Sequence, residues 1–111
     1  MAYSVTLTFT RPDEDTAMPT MASINSSAQT VTENALPGAG ITKTYEVDGL
    51  VTRVIYTAED KATYTAGKTN IENTSGSTMQ GTVPADYKQA CINAGITCVI
   101  TDSDGVTINS W

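Results

Sequence analysis

The N-terminal residues alternate between polar and apolar side chains with the period of a β-strand. Val5, Leu7 and Phe9 fall on one face, and the other face carries serine and threonine. An arginine, a proline and three acids follow at residues 11–15, and they end the strand because proline cannot donate to a ladder and the acids favour solvent. The pattern predicts a strand over residues 3–10 with one buried face.

The next segment has a helical spacing of apolar residues. From Met21 to Ala35 they recur at intervals of three and four, which predicts a helix. The intervening serines, threonines and asparagines are weak helix formers, so an irregular loop over residues 13–35 is the alternative. Pro37 and Gly38 end the segment.

Two strand-like runs, 41–47 and 50–57, flank Asp48-Gly49, the dipeptide that favours a two-residue hairpin loop. The second run is apolar on both faces near Val54 and Ile55, which predicts an internal strand. A hairpin is therefore expected over residues 41–57.

Two further helices are predicted. Thr57–Asp60 matches a capping box, and the helix after it would turn Ala58, Ala62, Ala66 and Tyr64 toward the sheet. A polar stretch over residues 73–83 predicts a flexible loop. Pro84 then opens a short helix over residues 85–94, which Gly95 ends.

The last segment predicts a C-terminal β-hairpin, because Ile96, Cys98 and Ile100 alternate with threonine and valine and an Asp/Gly turn follows at 102–105. The whole order predicts a single α+β domain over residues 1–111. Its expected fold is a ferredoxin-like split βαβ arrangement with an antiparallel sheet, an added short helix and the C-terminal hairpin.

Charge and composition narrow the possible partners. Six basic residues stand against twelve acidic ones, a net charge of −6, and the basic residues are scattered, which argues against nucleic acid. No apolar run approaches the roughly 20 residues that span a bilayer, so no membrane role is expected. The N-terminus lacks a basic segment followed by an apolar run, which predicts synthesis in the cytoplasm.

The residue types leave little room for catalysis. Histidine is absent, which excludes Ser-His-Asp, Cys-His and His-bearing zinc sites. Cys91 and Cys98 are expected to be small core residues, with a disulfide as the alternative. Asp102–Gly105 resembles half a calcium loop, but a plain turn is the stronger interpretation. We therefore expect no catalytic residue, no cofactor and no metal.

Candidate partner-binding residues lie at the C-terminus and in the predicted loop. A C-terminal tryptophan on a short polar lead is suited to docking into a neighbouring molecule, and packing on its own sheet is the alternative. The predicted partner-binding set is Trp111, Ser75, Gly76, Ser77 and Met79.

Residues 3–66 resemble small ferredoxin-like structural proteins of tailed-phage particles. The resemblance rests on Tyr3–Pro12 with the acidic stretch after it, on Val47–Arg53, and on the Ala/Tyr-rich second helix. It implies a non-enzymatic virion component, made in the host cytoplasm, that binds other virion proteins or itself as a homo-oligomer. The twenty threonines agree with that expectation.

At the level of fold alone, the chain also resembles the dimeric α/β-barrel family that includes antibiotic-biosynthesis monooxygenases. That resemblance implies a rival function, a small dimeric enzyme or ligand-binding module with Tyr45, Tyr56 or Arg53 as polar contacts in a pocket. A cytoplasmic regulator that binds one host protein is a further alternative.

Overall fold

The computed structural model describes residues 2–19, 37–75, 79–80 and 83–111. In these residues the chain is an α+β protein with a five-stranded antiparallel sheet, a separate two-stranded pair and two α-helices, which confirms the predicted class. The strands are β1 (Tyr3–Thr10), β2 (Thr42–Asp48), β3 (Val51–Ala58), β4 (Met79–Gln80), β5 (Val83–Pro84), β6 (Thr97–Asp102) and β7 (Thr107–Ser110). The helices are α1 (Lys61–Ser75) and α2 (Ala85–Asn93), and a 3₁₀ turn covers Pro37–Ala39.

Strand β1 lies at the centre of the large sheet, whose order is β2-β3-β1-β6-β7. Leu7 stands between Val54 of β3 and Ile100 of β6, and both pairings are antiparallel. The predicted alternation is confirmed, since Val5, Leu7 and Phe9 are buried while the threonines between them are only half-buried. This arrangement places the core on the apolar face of β1.

The helices cover that apolar face. Helix α1 contacts β1, β3 and the 3₁₀ turn, and on α2 the ring of Tyr87 lies 6.1 Å from the ring of Phe9. The opposite face of β1 carries Ser4 and three threonines. Threonine suits such a face because its branched Cβ favours extended backbone while its hydroxyl stays hydrated.

The hairpin over β2 and β3 is confirmed, but its turn is displaced by one residue. Asp48 pairs with Val51, so the two loop residues are Gly49 and Leu50 rather than the predicted Asp48-Gly49. Gly49 has φ of 59°, a left-handed value that glycine adopts without a steric penalty. Strand β3 lies between β2 and β1, and the prediction of an internal strand is confirmed.

The predicted capping box at the start of α1 is wrong. Thr57 remains in β3, where it pairs with Ser4, because the ladder with β1 continues to Ala58. The cap is Asp60 instead, whose Oδ1 accepts a hydrogen bond from the Thr63 backbone N–H at 2.7 Å. That bond lowers the pKa of the Asp60 carboxyl.

The buried face of α1 also differs from the prediction. Ala62 and Ala66 are exposed, and the residues that face the core are Tyr64, Gly67 and Ile71. The large side chains of Tyr64 and Ile71 gain more from burial than alanine does, and the spacing of three and four places them on one stripe with Gly67.

The end of α1 and the segment after it were predicted as a flexible loop over residues 73–83. Helix α1 continues to Ser75, where the Thr74 hydroxyl donates to the Asn70 carbonyl at 2.9 Å. Strands β4 and β5 pair through Met79 with Pro84 and Gln80 with Val83. Residues 76–78 and 81–82 lie outside the described residues, so the predicted flexibility stays a prediction.

Helix α2 follows the prediction closely. It covers Ala85–Asn93 with Cys91 buried, and Gly95 after it has φ of 76°. The predicted helix from Met21 to Ala35 lies outside the described residues. Within the described part of the chain, no helix is long and apolar enough to cross a membrane.

Candidate interaction surface

Strand β2 is the most exposed element of the large sheet. All seven of its residues are exposed, and among the described residues it has a ladder partner on one side only, β3. Two large side chains on it are strongly exposed, Tyr45 at 71% and Val47 at 64%. An edge strand with apolar side chains in water is a template for pairing with another chain.

The hydrogen bonds of β3 show which way the backbone of β2 points. The Arg11 N–H donates to the Leu50 carbonyl at 2.9 Å, so the even-numbered residues that follow in β3 bond toward β1. The odd-numbered residues of β3 therefore bond toward β2, where they meet even-numbered partners such as Thr44. It follows that Tyr45 and Val47 direct their N–H and C=O groups away from β3.

The side chains of β2 divide between the two faces of the sheet. Tyr45 stands across from Val54 and Val47 from Thr52, so both lie on the helix-bearing side. On the opposite face Glu46 pairs with Arg53, with 3.5 Å between Oε1 and Nη1. Both members of this ion pair are substantially exposed, so it contributes little to stability.

The other edge of the sheet, β7, is better protected. It has four residues, and its pairing with β6 is interrupted by a bulge between Ile100 and Thr101. After β7, Trp111 closes the ladder with two backbone hydrogen bonds to Cys98, at 2.8 and 2.9 Å. Short, bulged edge strands discourage pairing with other chains, which leaves β2 as the more open edge.

Trp111 packs within its own domain. Its ring lies 6.4 Å from the Phe9 ring in an edge-to-face arrangement, and the Lys88 ammonium is 5.2 Å from the indole centroid. Its Nε1 is buried and makes no hydrogen bond to any of the residues that the structure describes. The geometry favours the alternative that we gave for this residue, packing on its own sheet, over docking into a neighbour.

The other predicted partner-binding residues are spread over the segment after β3. Ser75 is the last residue of α1 and Met79 the first of β4, while Gly76 and Ser77 lie outside the described residues. Sequence reasoning missed the β2 edge. The spacing of residues 43, 45 and 47 indicates a strand. Its position at the edge depends on the order of the strands, which is set by pairing with distant residues.

The residues of the rival pocket do not converge. Tyr56 is buried in the core, Tyr45 is exposed at the sheet edge, and Arg53 lies on the opposite face from both. The rival function requires only one of these side chains in a pocket between the helices and the sheet, so it stays an alternative. Among the described residues no group of three Cys, Asp or Glu side chains is placed to hold a metal ion.

One carboxylate fixes the turn between β6 and β7. Asp102 accepts hydrogen bonds from the backbone N–H groups of Asp104 and Val106 at 3.0 and 2.9 Å, and from the Tyr3 hydroxyl at 2.9 Å. The bond from Val106 is the main cause of a lowered pKa for Asp102. Burial and the bond to Asp102 raise the pKa of Tyr3 to about 12, so the pair has a structural role at neutral pH.

We predict that Asp102 contributes to acid sensitivity. A carboxyl whose pKa is lower in the folded state stabilises the fold above its ordinary value of 3.8, and that contribution is lost as pH falls through the folded value. Asp102→Asn keeps an oxygen acceptor but cannot titrate. Urea unfolding at a series of pH values should show a smaller loss of stability on acidification in Asp102→Asn than in the wild type. An equal dependence of stability on pH in both proteins would contradict this role. Asp60, whose pKa is also lowered, is present in both proteins and does not affect the comparison.

The two cysteines are free and buried, as expected for core residues. Burial raises the pKa of Cys91 from 9.0 to about 11 and that of Cys98 to about 12. Because the thiolate is the nucleophile, the raised pKa makes the Cys91 thiol unreactive at neutral pH.

A thiol-reactive dye tests this prediction. We expect neither cysteine to react in the native protein on the timescale that labels both in urea. Labelling of either thiol at the same rate in the folded and unfolded protein would contradict the burial that the structure shows.

No protein-family model matches the chain, and neither a curated protein nor a solved structure matches it. The surface of the chain itself is therefore the basis for a functional proposal.

Proposed function

We propose that the chain is a non-enzymatic structural or accessory protein of a bacteriophage particle, and that it contacts the protein subunits of the particle, copies of itself included, through the edge strand β2. The observation that carries the proposal is the exposure of all seven residues of β2, with Tyr45 and Val47 in solvent. A strand added to such an edge gains main-chain hydrogen bonds, which are available to any extended partner segment.

Tyr45 and Val47 would supply the specificity. They project on one face of the sheet from positions two residues apart, so an added strand would contact them with alternate side chains. Tyrosine is a frequent anchor at protein interfaces, because its ring buries a large area and its hydroxyl stays hydrated. The partner segment we propose is extended and carries apolar side chains at alternate positions.

The proposed fold family supports this assignment. Strands β1 and β2 are both antiparallel to β3, which lies between them, and residues 11–41 connect β1 to β2. Two parallel strands with a third between them is the strand arrangement of a split βαβ unit. We therefore propose a ferredoxin-like fold, in line with the resemblance to small phage proteins.

The character of the surface supports a structural role over catalysis. The face of the sheet opposite the helices is rich in threonine. The hydrogen-bonded pair of Tyr3 and Asp102 stabilises the turn between β6 and β7. The described residues offer hydrogen-bonding edges and apolar anchors, which suit protein contacts. The proposed location is the virion, with synthesis in the host cytoplasm.

Quantitative mass spectrometry of purified phage particles tests the proposal. Particles would be taken from the host culture in which this chain is produced, and the chain would be measured relative to the major capsid protein. We expect a fixed number of copies that stays with the particle through density-gradient purification. A chain found only in the soluble fraction, bound to a host protein, would overturn the virion role and favour the cytoplasmic regulator.

A further inference from the structure

We propose that the partner of β2 is the β2 strand of a second copy. The two strands pair antiparallel about a two-fold axis that lies midway between the Tyr45 residues of the two copies, and we call this the Tyr45 register. The inference rests on the proposed function in using the same edge, and it names the occupant. It would join two five-stranded sheets into one sheet of ten strands, with the helices of both copies on the same side.

The direction of the backbone groups makes this pairing geometrically possible. Tyr45 and Val47 direct their N–H and C=O groups away from β3, as the Leu50 carbonyl bond to Arg11 establishes. In an antiparallel pair, a residue whose N–H and C=O groups point toward the partner strand exchanges two hydrogen bonds with the residue directly opposite. A two-fold axis at Tyr45 places Tyr45 opposite its own copy in such a hydrogen-bonded pair.

The side chains of β2 are complementary to themselves in this register. Tyr45 meets Tyr45 of the second copy, an aromatic pair, and Lys43 lies across from Val47 of the second copy. On the other face, Glu46 lies across from Thr44 and Asp48 from Thr42 of the second copy. No charged residue faces one of the same sign.

Other two-fold registers are less favourable. An axis through Lys43 or Glu46 would set like charges directly opposite each other, which is destabilising. An axis through Thr44 would overlap only five of the seven residues, because the strand begins at Thr42. The charged side chains and the length of the overlap therefore select the Tyr45 register together.

Substitutions at Val47 test the register. In the proposed dimer Val47 of each copy faces Lys43 of the other copy, so every substitution at Val47 changes two equivalent contacts. Val47→Lys sets like charges opposite each other, and Val47→Glu sets opposite charges together. We expect the dimer dissociation constant of Val47→Lys to exceed that of Val47→Glu by roughly 3- to 30-fold in sedimentation velocity at about 1 µM to 1 mM. Each copy carries a net charge of −6, so a non-specific charge effect would have the opposite sign.

Two further variants separate pairing from folding. Tyr45→Pro removes an N–H that points away from β3. An edge strand tolerates proline at such a position, so this variant should abolish the dimer while the monomer stays folded. Tyr45→Thr keeps that N–H and should weaken the dimer less. Ile92 on α2 is 45% exposed, and its lysine and glutamate variants serve as charge controls away from the edge.

The outcomes distinguish the inference from the proposed function. A wild-type protein that stays monomeric to 1 mM, or a dimer unaffected by both Tyr45→Pro and the Val47 pair, would overturn the two-fold pairing. If that monomer still purifies with particles, the virion role stands without it. A dimer with the expected Val47 response that is absent from particles would support the pairing and overturn the virion role.

Discussion

Replacing Leu7 with alanine is expected to lower the free energy of unfolding by about 2–5 kcal/mol. Leu7 is 2% exposed and lies on the central strand between Val54 and Ile100. Truncation removes buried apolar area and leaves a cavity that three strands, held by ladders on both sides, cannot close. Domains of this size have only about 5–15 kcal/mol in total, so the change is large.

Urea unfolding followed by circular dichroism measures this effect, and Thr8→Ala is the matched control. Thr8 is the next residue of the same strand and lies on the opposite, half-buried face. Its truncation should cost well under half as much as that of Leu7. If the two variants lost equal stability, the core would not lie on the face of β1 that the structure assigns to it.

Gly67→Val is expected to destabilise the protein by about 1–3 kcal/mol through overpacking. A Cβ at Gly67 would lie 2.9 Å from Ile41 Cδ1 and 3.1 Å from Ala39 Cβ, where α1 approaches the 3₁₀ turn. The Ile41 methyl could rotate away, but Ala39 has no rotatable side chain. Relief would require the helix or the turn to move.

Ala66→Val provides the comparison, because Ala66 is exposed one residue earlier in α1. It carries the helix-propensity cost of valine without the collision, about half a kcal/mol or less. Thermal unfolding of both variants should show a clearly larger loss at Gly67. Similar losses would mean that the helix tolerates valine at the turn and that the close approach is not important to stability.

The strand β1 was predictable from sequence because its signal is local. Val5, Leu7 and Phe9 alternate strictly with hydroxyl residues, and only a half-buried strand produces that pattern. The end of α2 at Gly95 was also predictable, since a left-handed residue after a helix favours glycine.

The buried face of α1 could not be predicted in the same way. Ala62 and Ala66 have the spacing of a helical stripe, and Gly67 has the appearance of a helix breaker. In the fold Gly67 is a contact residue whose missing side chain lets the 3₁₀ turn approach. That information lies in tertiary packing, which overrides local propensity.

The candidate surface was beyond sequence reasoning for a related reason. Trp111 was conspicuous as a terminal aromatic residue, but its ring packs against Phe9 and Lys88 of its own domain. Tyr45 and Val47 have the same spacing as residues of an internal strand. Only the order of the strands, which is set by long-range pairing, shows that they lie at an edge.

The number of chain copies per purified particle, compared between Tyr45→Pro and Tyr45→Thr, tests the central claim most directly. The two variants differ in the outward-facing N–H of one residue on β2, and circular dichroism would establish that both are folded. We predict that Tyr45→Thr remains on the particle and that Tyr45→Pro falls at least tenfold below it. Equal incorporation of both folded variants would contradict the claim that the chain binds virion proteins through the β2 edge.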